Sequence, residues 1–360
     1  MESIFESTRR FERWMRGCTP VVEAALREKH DEMRDDVFSF FRGTYYRWAQ
    51  LWPLICSELA NAPRVLALGD LHVGSFGTWR DAEGRLCWGV DDFDQSHPLS
   101  YANDLVRLAA SVKLVKDSGD IVLKLRIACD TILEAYERTL RTGPRPIVLA
   151  ENETDLEKLG FEALKAPPDF WKTLRRKPAM DPRALPRDAK VALEQTLPAS
   201  DLEYKVVRRQ AGLGSLGQPR FAAIADWQGG CVAREAKAYL PSMEAFVHGR
   251  KADRVCYYEK AIRAASRAPD PFQLVVRKWI VRRLSPDSNP IELADLPDER
   301  DDEVLLAAMA QEVANVHLVT EETCPQIIKD VHARPGNWLK VAAKDMAKIT
   351  QRDWKEYTSS

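Results

Sequence analysis

The sequence predicts an α+β protein of two lobes, and three observations carry that expectation. Residues 20–60 and 101–142 place apolar side chains at helical spacing. Residues 201–240 change to short strand-like runs divided by glycine turns. A chain of 360 residues is long enough for each lobe to bury its own core.

Taken in order, VVEAALREKHDEM and DDVFSFFRGTYYRWAQLWPLICSELA read as helices, with Gly43 interrupting the second. Asn61-Ala62-Pro63 stops them, and VLALGD follows as a short buried strand entering a turn. GRLCWGVDDFD reads as a second strand ending in acids, and a helical pattern runs from Tyr101 to about Thr142. Residues 143–200 set many prolines between short charged helices. They are expected to pack in pieces as a connecting region, because Phe161, Phe170 and Trp171 need burial. YKVVRRQ, RFAAIADW and CVAREAKAYL then form an antiparallel meander whose second turn is Gln228-Gly229-Gly230. A helix is expected over about 242–266, and FQLVVRKWIVRRL reads as one strand before Ser285-Pro286. EVLLAAMAQEVANVHLV and WLKVAAKDMAKI are helical. The expected divisions are 1–142, 143–200, 201–286 and 287–360.

A formal net charge of -1 argues against a nucleic-acid binder that works through bulk positive charge. Seven scattered cysteines, none in a C-x-x-C pair, argue against a disulfide framework or a cysteine zinc site. The N-terminal segment has no apolar core of a secretory signal, and no apolar run is long enough for a membrane helix. A cytoplasmic location is therefore expected. Oligomeric state is not legible.

Four strings carry chemistry. Gly69-Asp70-Leu71-His72, directly after a strand, puts a carboxylate on a glycine-flanked turn, where it can take a proton or hold a cation. Metallophosphoesterases use G-D-x-H, but the remaining histidines sit in none of the further motifs they need. Asp91-Asp92-Phe93-Asp94 packs three carboxylates into four positions, which repel one another unless a cation or basic groups neutralise them. A solvated acidic turn is the plain alternative, which the apolar Trp88, Val90 and Phe93 disfavour. Asp104, in Asn103-Asp104-Leu105-Val106-Arg107-Leu108, opens a helix, where its charge suits the dipole. Gly212-Leu213-Gly214-Ser215-Leu216-Gly217 is a G-x-G-x-x-G string. A dinucleotide fold would open a helix from it, whereas here Pro219 and a strand follow, as in a kinase loop that covers phosphates. On the next strand, Arg234 and Lys237 point to opposite faces. Folding about Gly229 brings Lys237 opposite about position 221, so Lys237 is the preferred phosphate contact and Arg234 the reserve. Glu259 and Glu244 are both available as its helical partner, with Glu259 at the more kinase-like separation.

The strings resemble those of the aminoglycoside- and choline-kinase type of phosphotransferase, whose catalytic loop reads G-D-x-H-x-x-N. They also resemble the bacterial family known as domain of unknown function 2252. The second resemblance rests on Phe38-Ser39-Phe40-Phe41-Arg42-Gly43, Gly69 to His72, Asp91 to Asp94, Asp104 to Leu108, the Gly212–Gly217 loop with Arg234-Glu235-Ala236, and PDPF at 269–272. It implies a circularly permuted, protein-kinase-like fold, with the catalytic helical lobe first, the antiparallel-sheet small lobe second and the last helices returning to the large lobe. It also implies ATP and magnesium as cofactors and an unidentified acceptor. Asp70 is then the base, with His72 in the same loop, Asp104 holds the loop backbone, and Asp92 ligates magnesium with Asp94 as a further metal residue. Gly212, Gly214, Ser215 and Gly217 bind phosphate. Ser75 replaces the loop's metal-binding Asn, and Arg234 stands where the family usually has Lys. Those two departures leave open a nucleotide-binding protein without turnover, and nucleotidyl transfer on the same fold is a third reading.

Overall fold

The computed structural model describes residues 2–117, 123–152, 166–253, 255–288 and 299–359. The first helix, Ile4–Cys18, is closed by a capping box in which Ser3 and Glu6 satisfy each other's backbone donors. Helices Glu23–Asp35, Val37–Gly43, Tyr45–Ile55 and Ser57–Ala60 follow. Asp36 caps the second of these, its Oδ1 accepting from the backbone of Phe38 at 2.7 Å and Ser39 at 2.8 Å. Gly43 is the last residue of that helix, and Met33 fills the space where a Cβ would stand.

Two small two-stranded sheets come next. β1 (Arg64–Ala67) pairs antiparallel with β4 (His97–Ser100), and β2 (Phe76–Arg80) with β3 (Leu86–Val90). β1 and β3 fall where the sequence predicts strands. β2 and β4 were not predicted, since FGTWR and HPLS carry little period-2 alternation. Helix Tyr101–Asp117 is buried on nearly every side and packs against Trp338–Thr358, while Leu125–Thr142 lies along Glu299–His317.

The largest sheet is antiparallel, in the order β5-β6-β7-β8-β10-β9. Its strands are β5 (Ala179–Met180), β6 (Tyr204–Arg208), β7 (Arg220–Trp227), β8 (Gly230–Ala238), β9 (Leu274–Val276) and β10 (Trp279–Leu284). Gln228 and Gly229 turn β7 into β8 with φ of 44° and 85°, the left-handed pair that a two-residue hairpin requires. This turn sets Lys237 opposite Arg220, one position from the register read off the sequence.

Three expectations about this sheet and the segments around it need correction. FQLVVRKWIVRRL is a hairpin rather than one strand, turned at Arg277 (φ 57°) and Lys278, a pair without the usual turn residues. The helix expected over 242–266 is two short helices, Met243–Val247 and Tyr257–Ala264, the first ending at the left-handed Gly249. The described part of 143–200 is more than a connection. It adds β5, and its helix Pro167–Arg176 sets Leu174, Phe170 and Trp171 against Val207, Ile224 and Leu284 of the sheet. Helix Arg187–Glu194 covers β8 and β10. Phe161 lies outside the described residues.

None of the seven cysteines is in a disulfide. No described helix is long and apolar enough to cross a membrane.

Candidate functional site

The turn after β1 is held from below by Asp104. Its buried carboxylate accepts from the backbone N–H of Leu68 at 2.6 Å and Gly69 at 3.0 Å, and from Asn103 Nδ2 at 3.0 Å. His317 Nε2 stands 3.0 Å away, and the Tyr136 hydroxyl meets the other ring nitrogen at 2.7 Å. Asp104 is thus a positioning residue with no opening to a ligand. Gly69 is obligatory: φ is 79°, and a Cβ would meet the Gln95 carbonyl and the Tyr45 hydroxyl at 2.7 Å.

The loop that follows closes on itself. Gly74 N–H donates to His72 Nδ1 at 3.1 Å, and His72 N–H donates to Ser75 Oγ at 3.1 Å. Ser75 Oγ in turn donates to the Asp70 carbonyl at 3.4 Å. Burial, with Arg42 and Arg107 nearby, drives the His72 imidazole well below its ordinary pKa, so it is neutral. Ser75 was expected among the metal residues. The structure corrects this: the side chain is buried and spent on the loop, because a hydroxyl two atoms long reaches the backbone but not the cleft.

Asp70 faces the cleft and is gripped from behind by Arg107. The guanidinium is fully buried, reaches Asp70 Oδ1 through Nε at 3.0 Å and through Nη2, and lies 3.9 Å over the Phe41 ring. Burial raises the Asp70 carboxyl, and Arg107 offsets part of that.

The acidic string splits by partner. Phe93 is wholly buried, which anchors the turn and contributes about 2–3 kcal/mol. Asp91 lies 3.7 Å from Arg282, which also donates to the Asp91 carbonyl. Asp94 pairs with Lys237 of β8. Asp92 opens to the cleft. Burial pushes its carboxyl up, but the charges of Lys237 and Arg282 outweigh that and hold it below the ordinary range. Basic groups, Arg282 at Asp91 and Lys237 at Asp94, neutralise much of the string, and among the described residues no three His, Cys, Asp or Glu side chains converge on a metal position. Asp92, with Asp94 two residues on, remains the pair suited to magnesium. Such an ion takes one or two carboxylates and completes its shell with phosphate oxygens and water. Asp94 Oδ1 is buried without a hydrogen-bond partner, which fits that use.

The glycine-rich loop joins β6 to β7 and folds down onto Asp70. A Cβ on Gly214 would stand 3.3 Å from the Arg42 carbonyl and 3.6 Å from Asp70 Oδ2. Gly212 and Gly217 have φ of 73° and 93°. Ser215 Oγ accepts from Arg220 at 2.7 Å, and Lys29 donates to the Gly214 carbonyl at 2.9 Å. Glu235 holds Arg209 and Arg220 together beside this loop.

Lys237 shares the cleft face of β8 with Glu235. Arg234 does not: it is on the opposite face, donating to the Thr196 carbonyl at 2.8 Å and stacking 4.1 Å over Phe272 of the PDPF string. Arg234 as the reserve phosphate contact is therefore corrected. Glu259 is corrected too, since it pairs with Arg263 one turn along an exposed helix face. Glu244 pairs with His248 in the same way. The carboxylate opposite Lys237 comes instead from Asp94, across the cleft.

One cavity of about 500 Å³ gathers Asp70, His72, Asp92, Asp94, Gly212, Gly214, Ser215 and Lys237. Lys29, Arg42, Arg220 and Arg282 also line it and had no site role in the sequence reading. Of these Arg42 carried a signal in the Phe38–Gly43 string, and Arg282 in the basic pair Arg282-Arg283.

Residues 21–166 match the family described as uncharacterized protein conserved in bacteria, DUF2252. The match takes in the Asp70 loop, the acidic string and Asp104, and ends before the glycine-rich loop. No curated protein and no solved structure matches the chain.

Proposed function

We propose that this chain is an ATP- and magnesium-dependent phosphotransferase built on a circularly permuted, protein-kinase-like fold, acting on an acceptor hydroxyl. One observation carries the reading. A glycine loop between the first two strands of the β6–β7–β8 meander rests on a carboxylate from the other lobe, and a lysine on the third strand faces a second carboxylate pair in the same cavity.

In that reading, ATP with magnesium supplies the phosphoryl group and neutralises its charge. The backbone of Leu213–Ser215 covers the phosphates, with Lys237 and Arg220 adding positive charge. Asp92 and Asp94 hold the metal. Asp70, oriented by Arg107, accepts the proton of the acceptor hydroxyl, and Asp104 fixes the turn that carries it.

A second reading, nucleotide binding without turnover, draws on the pairs already made within the protein. Arg107 occupies Asp70 Oδ1, Asp94 occupies Lys237, and Ser75 is committed to its loop.

Thermal denaturation with and without ATP and magnesium tests the binding step, and a rise in melting temperature that Asp92→Asn abolishes is expected. Phosphate release and adenylylation are then followed on wild type and Asp70→Asn. Turnover lost in Asp70→Asn supports phosphotransfer. Nucleotide binding with no turnover in either protein supports the second reading, and no nucleotide-induced shift rejects both.

A further inference from the structure

We infer that Arg42, with Lys29 beside the same glycine loop, forms an oxyanion pole of the cleft that recognises a phosphate or carboxylate group on the acceptor. The inference rests on the phosphotransfer reading and names the acceptor's class.

Arg42 belongs to the Phe38–Gly43 string, which the nucleotide reading leaves without a task. The string's backbone supports the centre: the Phe41 carbonyl accepts from Arg107 at 3.2 Å, and the Arg42 carbonyl bounds the space beside Gly214. The Arg42 side chain lines the cavity, propped 5.0 Å over the Phe38 ring. Its hydrogen bonding is largely unspent. Nη2 reaches Ser39 Oγ at 3.4 Å, a long contact, and buried Nε has no partner among the described residues. Arginine presents a planar fork that fits two oxygens of a carboxylate or phosphate, so an unspent fork on a cavity wall is a recognition element.

Position separates this pole from the nucleotide pole. Lys237, Arg220 and Arg282 face Asp92 and Asp94 on the sheet side. Arg42 and Lys29 come from the N-terminal helices and flank Asp70 through Gly214, where an acceptor must enter to present its hydroxyl. Glu32, also lining the cavity, is the acid whose charge Arg42 moderates, and it disfavours a purely anionic ligand bound away from the guanidinium.

Calorimetric titration of inorganic phosphate and of malonate tests this on the full chain, with and without a saturating non-hydrolysable ATP analogue and magnesium. Wild type is expected to bind at least one of the anions alongside the analogue. Arg42→Gln should weaken that binding about tenfold or more, the scale of losing charge-assisted hydrogen bonds. Affinity for the analogue itself should change by less than about twofold, because no shared contact is lost. Arg42→Lys, with its melting temperature checked beside wild type, should retain part of the anion affinity and shows that a loss in Arg42→Gln is not misfolding. If Arg42→Gln weakens the analogue as much as the anion, Arg42 belongs to the nucleotide and the inference falls. Anion binding that is absent, or indifferent to Arg42, also overturns it. Arg42-dependent anion binding by a protein that binds no ATP analogue would uphold the oxyanion pole while rejecting the phosphotransfer reading.

Discussion

Arg107 and Asp70 form an ion pair in which the arginine is fully buried and the carboxylate stands at the cleft wall. The two residues come from a helix and a turn 37 positions apart, and three aromatic rings, Phe41, Tyr45 and Trp48, surround the guanidinium. Burial without a partner would be costly for either charge, so each explains the other's position.

Removing Arg107 should therefore lower stability markedly. Arg107→Met is expected to cost about 3–5 kcal/mol in denaturant unfolding, since Asp70 loses its buried counter-charge. Asp70→Asn should restore part of that loss in the double variant. A cost below about 1 kcal/mol would show that the pair contributes little.

Gly214 brings the glycine-rich loop up against Arg42 and Asp70. Gly214→Ala should lower nucleotide affinity and turnover while shifting the unfolding midpoint little, because its Cβ presses on the Arg42 carbonyl at 3.3 Å, on an exposed loop. Gly214→Val should do so more strongly. Equal nucleotide affinity in all three proteins, measured by titration, would remove the loop from the site.

Lys237 sets a pH dependence. Burial brings its amine down to about 8, as it does for Lys29. Phosphate binding needs the ammonium form, so affinity for ATP and magnesium should be flat below pH 8. Above it, affinity should fall towards tenfold per pH unit as the free protein gives up a proton that binding must restore. Lys237→Arg stays charged and should flatten much of this fall. The free protein moves the other way: its amine lies below the ordinary 10.5, so stability rises as pH climbs from about 8 to 10.5.

Glu235 governs the acid side. Its buried carboxyl is pushed up by desolvation, but Arg220 and Arg209 overcome that and bring it down to about 2. A depressed carboxyl stabilises the fold above its ordinary 4.5, and the contribution is lost as pH falls from there towards 2. Glu235→Gln should cost on the order of 3 kcal/mol at pH 7 and flatten the acid limb of the stability curve. Chemical denaturation between pH 3 and pH 7 would reveal an unchanged limb if the pairing is unimportant (both pH limits are roughly those spanned by carboxylate titration).

The sequence by itself determined what is written within a few residues. Helical spacing marks the helices from Glu23 and from Tyr101, and Gln228-Gly229 gives a turn whose geometry brings Lys237 to within one position of its true neighbour. Strand alternation alone separates Lys237 from Arg234. Glycine spacing and the acidic string mark the segments that meet in the cleft. Tertiary structure decided the partners. Lys237 meets Asp94, 143 positions away, rather than Glu259, whose helix turns it towards Arg263. Ser75 spends its hydroxyl on its own loop, and Lys29 and Arg107 reach the site from helices whose local sequence shows only amphipathic or buried patterns. Periodicity and turn chemistry act over one or two turns of chain, so they are legible in order. Charge pairing and burial depend on which surfaces close together, and that is fixed only when the helices and the sheet pack.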